Sequence, residues 1–217
     1  MSGEKLISYL TPAAFGEAEY TEKRSRFIAR VWRTDTEAEA IVHIEEMRKK
    51  HYDARHNVYA YIIRENGIMR YSDDGEPSGT SGQPTLNVFR AGDITNVCCV
   101  VTRYFGGILL GTGGLVRAYT TAAKMALENA GIEQMAQWVQ CEIECSYAQF
   151  ERTKRLLDDC GAVCEDTDFG TQVVFSALIR KEAVASFQER LRDMTAGTAL
   201  CLEEGETFRG VRIAPET

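Results

Sequence analysis

The chain has 217 residues, of which 44% are hydrophobic and 26% charged, and its formal net charge is −7. That length holds one large domain or two small ones, and the composition is that of a globular protein rather than a disordered one. An acidic chain is a poor general binder of nucleic acid. No apolar run approaches the ~18 residues that span a bilayer.

The charge is uneven: residues 1–134 hold 16 basic and 17 acidic side chains, residues 135–217 hold 9 and 15. Any nucleic-acid role would therefore belong to the first half. Met1-Ser2-Gly3-Glu4-Lys5 lacks the basic-then-apolar pattern of a secretory leader. With seven cysteines, an odd number, a cytoplasmic location and reduced thiols are expected.

In chain order, residues 15–20 and 24–33 read as strands. In the second, Phe27, Ala29 and Val31 share one face and Arg24, Arg26 and Arg30 the other. Thr34-Asp35 starts a helix over 36–50 with an apolar set of Ala38, Ile41, Val42, Ile44 and Met47. Two β-prone runs, 58–64 and 68–71, flank Glu65-Asn66-Gly67, a hairpin signal. Residues 72–84 form a polar, turn-rich loop. Pro84 opens a short helix through Arg90. A buried strand spans 96–105, and a helix spans 113–130 with Gly131 as its stop.

Beyond Gly131 the pattern reads strand 138–147, helix 149–160, hairpin 162–168 and 171–179, helix 181–195, strand 198–204. The order β-α-β-β-α-β is that of a ferredoxin-like unit. The domain boundary is placed near residue 134, giving domains 1–134 and 135–217.

The run Arg103-Tyr104-Phe105-Gly106-Gly107-Ile108-Leu109-Leu110-Gly111-Thr112-Gly113-Gly114-Leu115-Val116-Arg117-Ala118-Tyr119 carries five glycines between a strand and a helix. Glycine costs backbone entropy, so five together need a reason: positive φ, close backbone approach, or amides facing an anion at a helix N-terminus. The run is neither a Walker A loop nor G-x-G-x-x-G. Its basic flank is Arg103, Arg117 and Lys124, the last two on one helix face with Thr121. The plain alternative is a tight connection whose glycines only permit packing.

Other candidates have plain readings too. Asp73, Asp74 and Glu76 form an acidic loop cluster able to help hold Mg²⁺, or simply to organise turns. His56, beside Arg55, is a candidate general base or a strand-end residue. Cys141-x₃-Cys145 and Cys160-x₃-Cys164 suggest zinc, or two apolar faces carrying buried thiols. The stripe of Arg24, Arg26 and Arg30, with Lys23 and Arg33 nearby, suits phosphate contacts or charge protection of a strand.

Taken together, Lys23-Arg24-Ser25-Arg26-Phe27, Asp53-Ala54-Arg55-His56, Asp73-Asp74-Gly75-Glu76-Pro77 with Gly79, Gly82 and Pro84, and the 103–119 run resemble the Impact/YigZ family over nearly the whole chain. The extra C-terminal unit is that of its bacterial branch. The resemblance implies an α/β (α+β) protein of two domains. The first would have the β-α fold of the second domain of a small-subunit ribosomal protein; the second would resemble ferredoxin-like domains of elongation factors. Eukaryotic members are linked to translational control in amino-acid starvation, through a ribosome-associated activator of a stress kinase.

The leading expectation is a translation-associated binding protein. It would present the loop's Gly106, Gly107, Gly111, Gly113 and Gly114 with Arg103, Arg117 and Lys124 to RNA, a nucleotide or another phosphate-bearing ligand. Arg24, Arg26, Asp73 and Glu76 would form a secondary surface. Two alternatives stand beside it. One is a metal-dependent hydrolase or phosphate-ester enzyme using Asp73, Asp74 and Glu76, with Arg55, His56 and Asp74 as catalytic candidates. The other is a protein–protein module docking on ribosomal partners. No resident cofactor, membrane association or sequence-specific DNA binding is expected.

Overall fold

The computed structural model describes residues 8–212, so the segment 1–5 read above for a leader lies outside the described residues. The described chain divides into two compact units, one built on residues 9–134 and the other on 135–209.

The first unit contains strands β1 (Ser8–Pro12), β2 (Gly16–Glu22), β3 (Ser25–Arg33), β4 (His56–Ile63), β5 (Ile68–Ser72) and β6 (Val97–Tyr104). Its helices are α1 (Glu37–Lys50), α2 (Gly82–Ala91) and α3 (Gly111–Ala130). Five strands form an antiparallel sheet in the order β2-β3-β6-β4-β5. Strand side chains alternate between faces. Phe27, Ala29, Val31, Val58, Ala60, Val97, Cys99 and Val101 meet the apolar faces of α2 and α3. On the opposite face Tyr61, Ile63, Cys98 and Val100 meet Ala40, Ile44 and Met47 of α1. β6 is central and covered on both faces, which is why its sequence is an unbroken apolar run rather than an alternating one.

Four local expectations need correction. α1 buries Ala40, Ile44 and Met47, while Ile41 and Val42 are about half exposed. At 100° per residue Ile41 and Val42 fall off the stripe that the other three define. Arg24 lies outside β3, in the turn between β2 and β3, where Lys23 and Arg24 adopt φ of 44° and 66°. α3 starts at Gly111, two residues earlier than read. β1 went unread because five mixed residues show no period. At Glu65-Asn66-Gly67 the hairpin forms, with Asn66 and Gly67 both at φ 61°.

The second unit contains β7 (Ile132–Cys145), α4 (Phe150–Asp159), β8 (Val163–Phe169), β9 (Val173–Arg180), α5 (Val184–Thr195) and β10 (Leu200–Arg212). β8 pairs with β9, β9 with β7, and β7 with both β10 and β1. The order β10-β7-β9-β8 is the 4-1-3-2 order of a ferredoxin-like unit. Val139, Cys141, Ile143 and Cys145 of β7 and Val173, Phe175, Ala177 and Ile179 of β9 pack on Leu156, Leu157, Phe187 and Leu191 of the two helices. β7 begins six residues before the expected Trp138, and β10 runs eight beyond the expected Glu204. Hydrophobic alternation is weak in both extensions.

Candidate functional site

The glycine run leaves the C-terminal end of β6 and crosses the β2–β3 turn. A Cβ on Gly106 would lie 2.1 Å from the carbonyl carbon of Arg24. Only glycine fits that approach, and its N–H donates to Ser25 Oγ at 3.2 Å. Gly107 and Gly111 take φ of 83° and 71° with open space where a side chain would go. Here the glycines serve conformation. α3 then begins without any side-chain cap, and Gly111, Thr112 and Gly113 are exposed. The first amides of a helix have no intrahelical partner, and the helix dipole adds partial positive charge there.

Arg117 and Lys124 extend this feature along the exposed side of α3. Arg117 borders a groove of about 400 Å³ with Tyr20, Glu22, Thr120 and Thr121. Lys124 borders a second of about 280 Å³ with Pro84, Asn87 and Val88 of α2. Val116 and Thr120 line both.

Arg103 is placed differently from Arg117 and Lys124. It is 5% exposed and donates to Glu76 Oε1 at 2.6 Å. Tyr119 donates to the same carboxylate oxygen at 2.8 Å. The Arg103 guanidinium lies 5.3 Å from the ring centroid of Phe27 and 5.6 Å from that of Phe105. Its charge is committed to holding the loop rather than offered to solvent. Burial and the adjacent Glu76 carboxylate together push the Tyr119 hydroxyl well above its ordinary value. It therefore stays protonated and donates.

The acidic cluster divides among three tasks. Asp73 accepts hydrogen bonds from the backbone N–H groups of Gly79, Ser81 and Gly82 and from the Ser81 hydroxyl, closing the loop onto the start of α2. Asp74, at φ 45°, accepts from the Asn57 N–H at 2.6 Å. Glu76 is buried against Arg103. Among the described residues no group of three or more His, Cys, Asp or Glu side chains converges as a metal site would require. The proposed Mg²⁺ set therefore does not assemble.

His56 is buried, donates from Nδ1 to the Asp74 carbonyl at 2.7 Å, and places Nε2 3.8 Å from Glu76. Arg55 is exposed with its guanidinium 5.9 Å from the Phe105 ring centroid. The structure thus gathers Arg24, Ser25, Arg55, His56, Asp74, Glu76, Arg103, Phe105 and Gly106 around the end of β6.

The arginine stripe of β3 does not form a free basic surface. Arg26 pairs with Glu19 at 2.8 Å and buried Arg30 with Glu17, both carboxylates on neighbouring β2. Arg33 pairs with Glu133 at 2.7 Å. The zinc candidates separate as well: Cys141 and Cys145 are buried, Cys160 is half-buried and Cys164 exposed. Sequence reasoning missed Ser25, Phe105 and Tyr119. All three stood inside quoted motifs, Tyr119 as the last residue of the 103–119 run. Tyr119 had a detectable signal, a lone phenol on the apolar stripe of an alanine-rich helix.

An antiparallel sheet covered by helices on both faces, with this glycine connection, followed by a ferredoxin-like unit, defines the class. Residues 23–127 match the Impact N-terminal domain, and residues 143–198 match a domain of unknown function, DUF1949. The chain is 35% identical over 202 residues to the IMPACT family member YvyE of Bacillus subtilis (strain 168), covering 93% of each. It is 34% identical to the IMPACT family member YigZ of Escherichia coli (strain K12), covering 91% of this chain and 99% of that one. A solved structure titled as a hypothetical protein matches with TM-score 0.57 and 33% identity, covering 90% of this chain and 96% of that one. This chain belongs to the IMPACT family.

Proposed function

We propose that this protein is a cytoplasmic, translation-associated regulator that holds a phosphate-bearing ligand, RNA foremost, at the glycine loop. The observation that carries this reading is the uncapped, exposed start of α3. A helix N-terminus of this kind accepts phosphate oxygens on its free amides. Arg117 and Lys124 continue the positive side of the helix. The exposed Phe105 ring under Arg55 supplies a face on which a base can stack, as in single-strand binding.

Once Arg103 is set aside, the cations taken here for phosphates are exposed Arg24, Arg55, Arg117 and Lys124. Four contacts give a log–log salt slope of about −3 for single-stranded RNA. Filter binding with single-stranded and structured RNA at several salt concentrations tests the proposal. Arg117→Ala/Lys124→Ala should halve the slope and weaken binding. No binding at low salt, or an unchanged slope in the variant, would refute it.

A further inference from the structure

The sheet of the second unit brings two thiols together on neighbouring strands. Cys141 lies within β7 and is fully buried in the core shared with α4 and α5. β10 pairs with β7, and its Cys201 packs half-buried against the same core. The two sulfurs share a hydrogen bond in which Cys141 keeps the proton. The Val139 carbonyl oxygen, 3.8 Å from the Cys141 sulfur, offers only a long alternative. Neighbouring strands run about 4.8 Å apart, within the ~4.4–6.8 Å between Cα atoms that a disulfide bridges. The pair can therefore be joined without parting the strands.

The two thiols are not equivalent. The hydrogen bond from Cys141 leads in holding the Cys201 thiol below its ordinary value; burial opposes it, the Gln188 amide adds to it, and the Glu203 carboxylate works against it. The same hydrogen bond, with burial, raises Cys141. Cys201 also reaches the surface. It lines a groove of about 360 Å³ with Gln188, Leu191, Arg192 and Ala199, so a small reagent meets this sulfur with a cation on the same wall. A solvent-reached thiol of thiolate character, backed by a second thiol, is the arrangement of a redox pair. The other thiols are placed differently. Cys98 and Cys99 are adjacent on β6 and face opposite sides of its sheet. Cys164 is exposed and contacts the Asp166 carbonyl and the Thr167 hydroxyl.

We propose that Cys201 and Cys141 are a peroxide-oxidised dithiol, with Cys201 the attacking sulfur and Cys141 the resolving one. The Cys201 thiolate attacks one oxygen of hydrogen peroxide or a small alkyl hydroperoxide. An S–O bond forms, the O–O bond breaks, and the leaving hydroxide or alkoxide takes up the proton that Cys201 released. The Cys141 sulfur then attacks the Cys201 sulfenic acid: the S–S bond forms, the S–O bond breaks, and water leaves with the Cys141 proton. The two sulfurs lose two electrons and the peroxide gains them. In a reducing compartment such a bond is transient, and thiol reductants reopen it. The pair is separate from the glycine loop and stands or falls independently of the phosphate reading.

The test treats the pre-reduced full chain with hydrogen peroxide, blocks free thiols with iodoacetamide, and reads a non-reducing digest by mass spectrometry. The peptides of Cys141 and Cys201 should appear linked, separable by dithiothreitol, before Cys164 is oxidised. Alkylation by a bulky reagent follows exposure, whereas oxidation by a small peroxide follows thiolate character. Cys201→Ser should lose the link and leave Cys141 unmodified. Cys141→Ala should stop at the sulfenic acid, captured by dimedone on Cys201, and Cys164→Ser should link as the parent does. The pairing is read in the parent chain, so it does not depend on how well a variant folds. Oxidation of Cys164 with Cys141 and Cys201 both still reduced, or a link joining Cys201 to Cys160 instead, would overturn the proposal.

Discussion

Replacing Glu76 by Gln removes one negative charge from a pair that water cannot reach. The Glu76 and Arg103 side chains are 3% and 7% exposed, at 2.6 Å separation. Leaving one member of a buried pair uncompensated costs about 3–5 kcal/mol. The low end applies here, because the Gln carbonyl still accepts from Tyr119 and Arg103. About 3 kcal/mol corresponds to a fall in Tm of roughly 6–12 °C for a chain of this size. Urea unfolding followed by tryptophan fluorescence measures it. Tyr119→Phe, which removes one hydrogen bond, should cost about 1 kcal/mol. The double variant Glu76→Leu/Arg103→Met should recover most of the loss, since removing both charges also removes the desolvation cost. A loss below about 1 kcal/mol in Glu76→Gln would refute the claim that this ion pair is buried and structural. So would a double variant less stable than the single.

Gly106→Ala should destabilise by about 2 kcal/mol or more through its clash with the Arg24 backbone, while Gly111→Ala should cost only the ~1–2 kcal/mol of a left-handed residue; thermal melts of the pair separate the two causes. Burial pushes the Asp73 carboxyl up, but its hydrogen bonds from Gly79, Ser81 and Gly82 outweigh this and hold it below its ordinary 3.8. The stability it contributes is therefore complete above that value and lost as pH falls through the depressed folded one. Asp73→Asn should flatten that acid limb in pH-dependent urea titrations. Burial pushes the Cys98 thiol up to about 12 and Cys99 well above its ordinary value. A thiol reagent at neutral pH should modify exposed Cys164 first and reach Cys98 and Cys99 only on unfolding, as mass spectrometry of the peptides will show.

The elements with a strong period or sharp punctuation were legible from the residues alone. The alternation of Phe27, Ala29 and Val31, the Asn66-Gly67 turn and the Gly131 stop each have a local physical cause. The α1 stripe was misassigned because Ile41 and Val42 are apolar but lie off the face that the sheet covers. At the site, the glycine loop was located correctly in the chain, but the partners of its charges were not readable. Arg103 and Arg117 look equivalent as flanking cations. Only the three-dimensional fold brings Glu76, from a loop 27 residues away, onto the first and leaves the second in solvent. Arg26 and Arg30 likewise found Glu19 and Glu17 through strand pairing. Charge pairing depends on register, and register is a long-range property.

β6 has a dynamic consequence. It is hydrogen-bonded to β3 on one edge and β4 on the other, and its side chains are covered on both faces. No local fluctuation can free its amides, so they should exchange with solvent deuterium only when the whole unit opens. The glycine loop hangs from the end of this strand. Its anchor at Arg103 is thus fixed to the slowest-exchanging part of the unit, while a few residues on, at Gly107 and Leu109, the chain is exposed. A sharp gradient of deuterium uptake should therefore run from Val101 to Leu109, a rigid base carrying a tip able to adjust to whatever it meets.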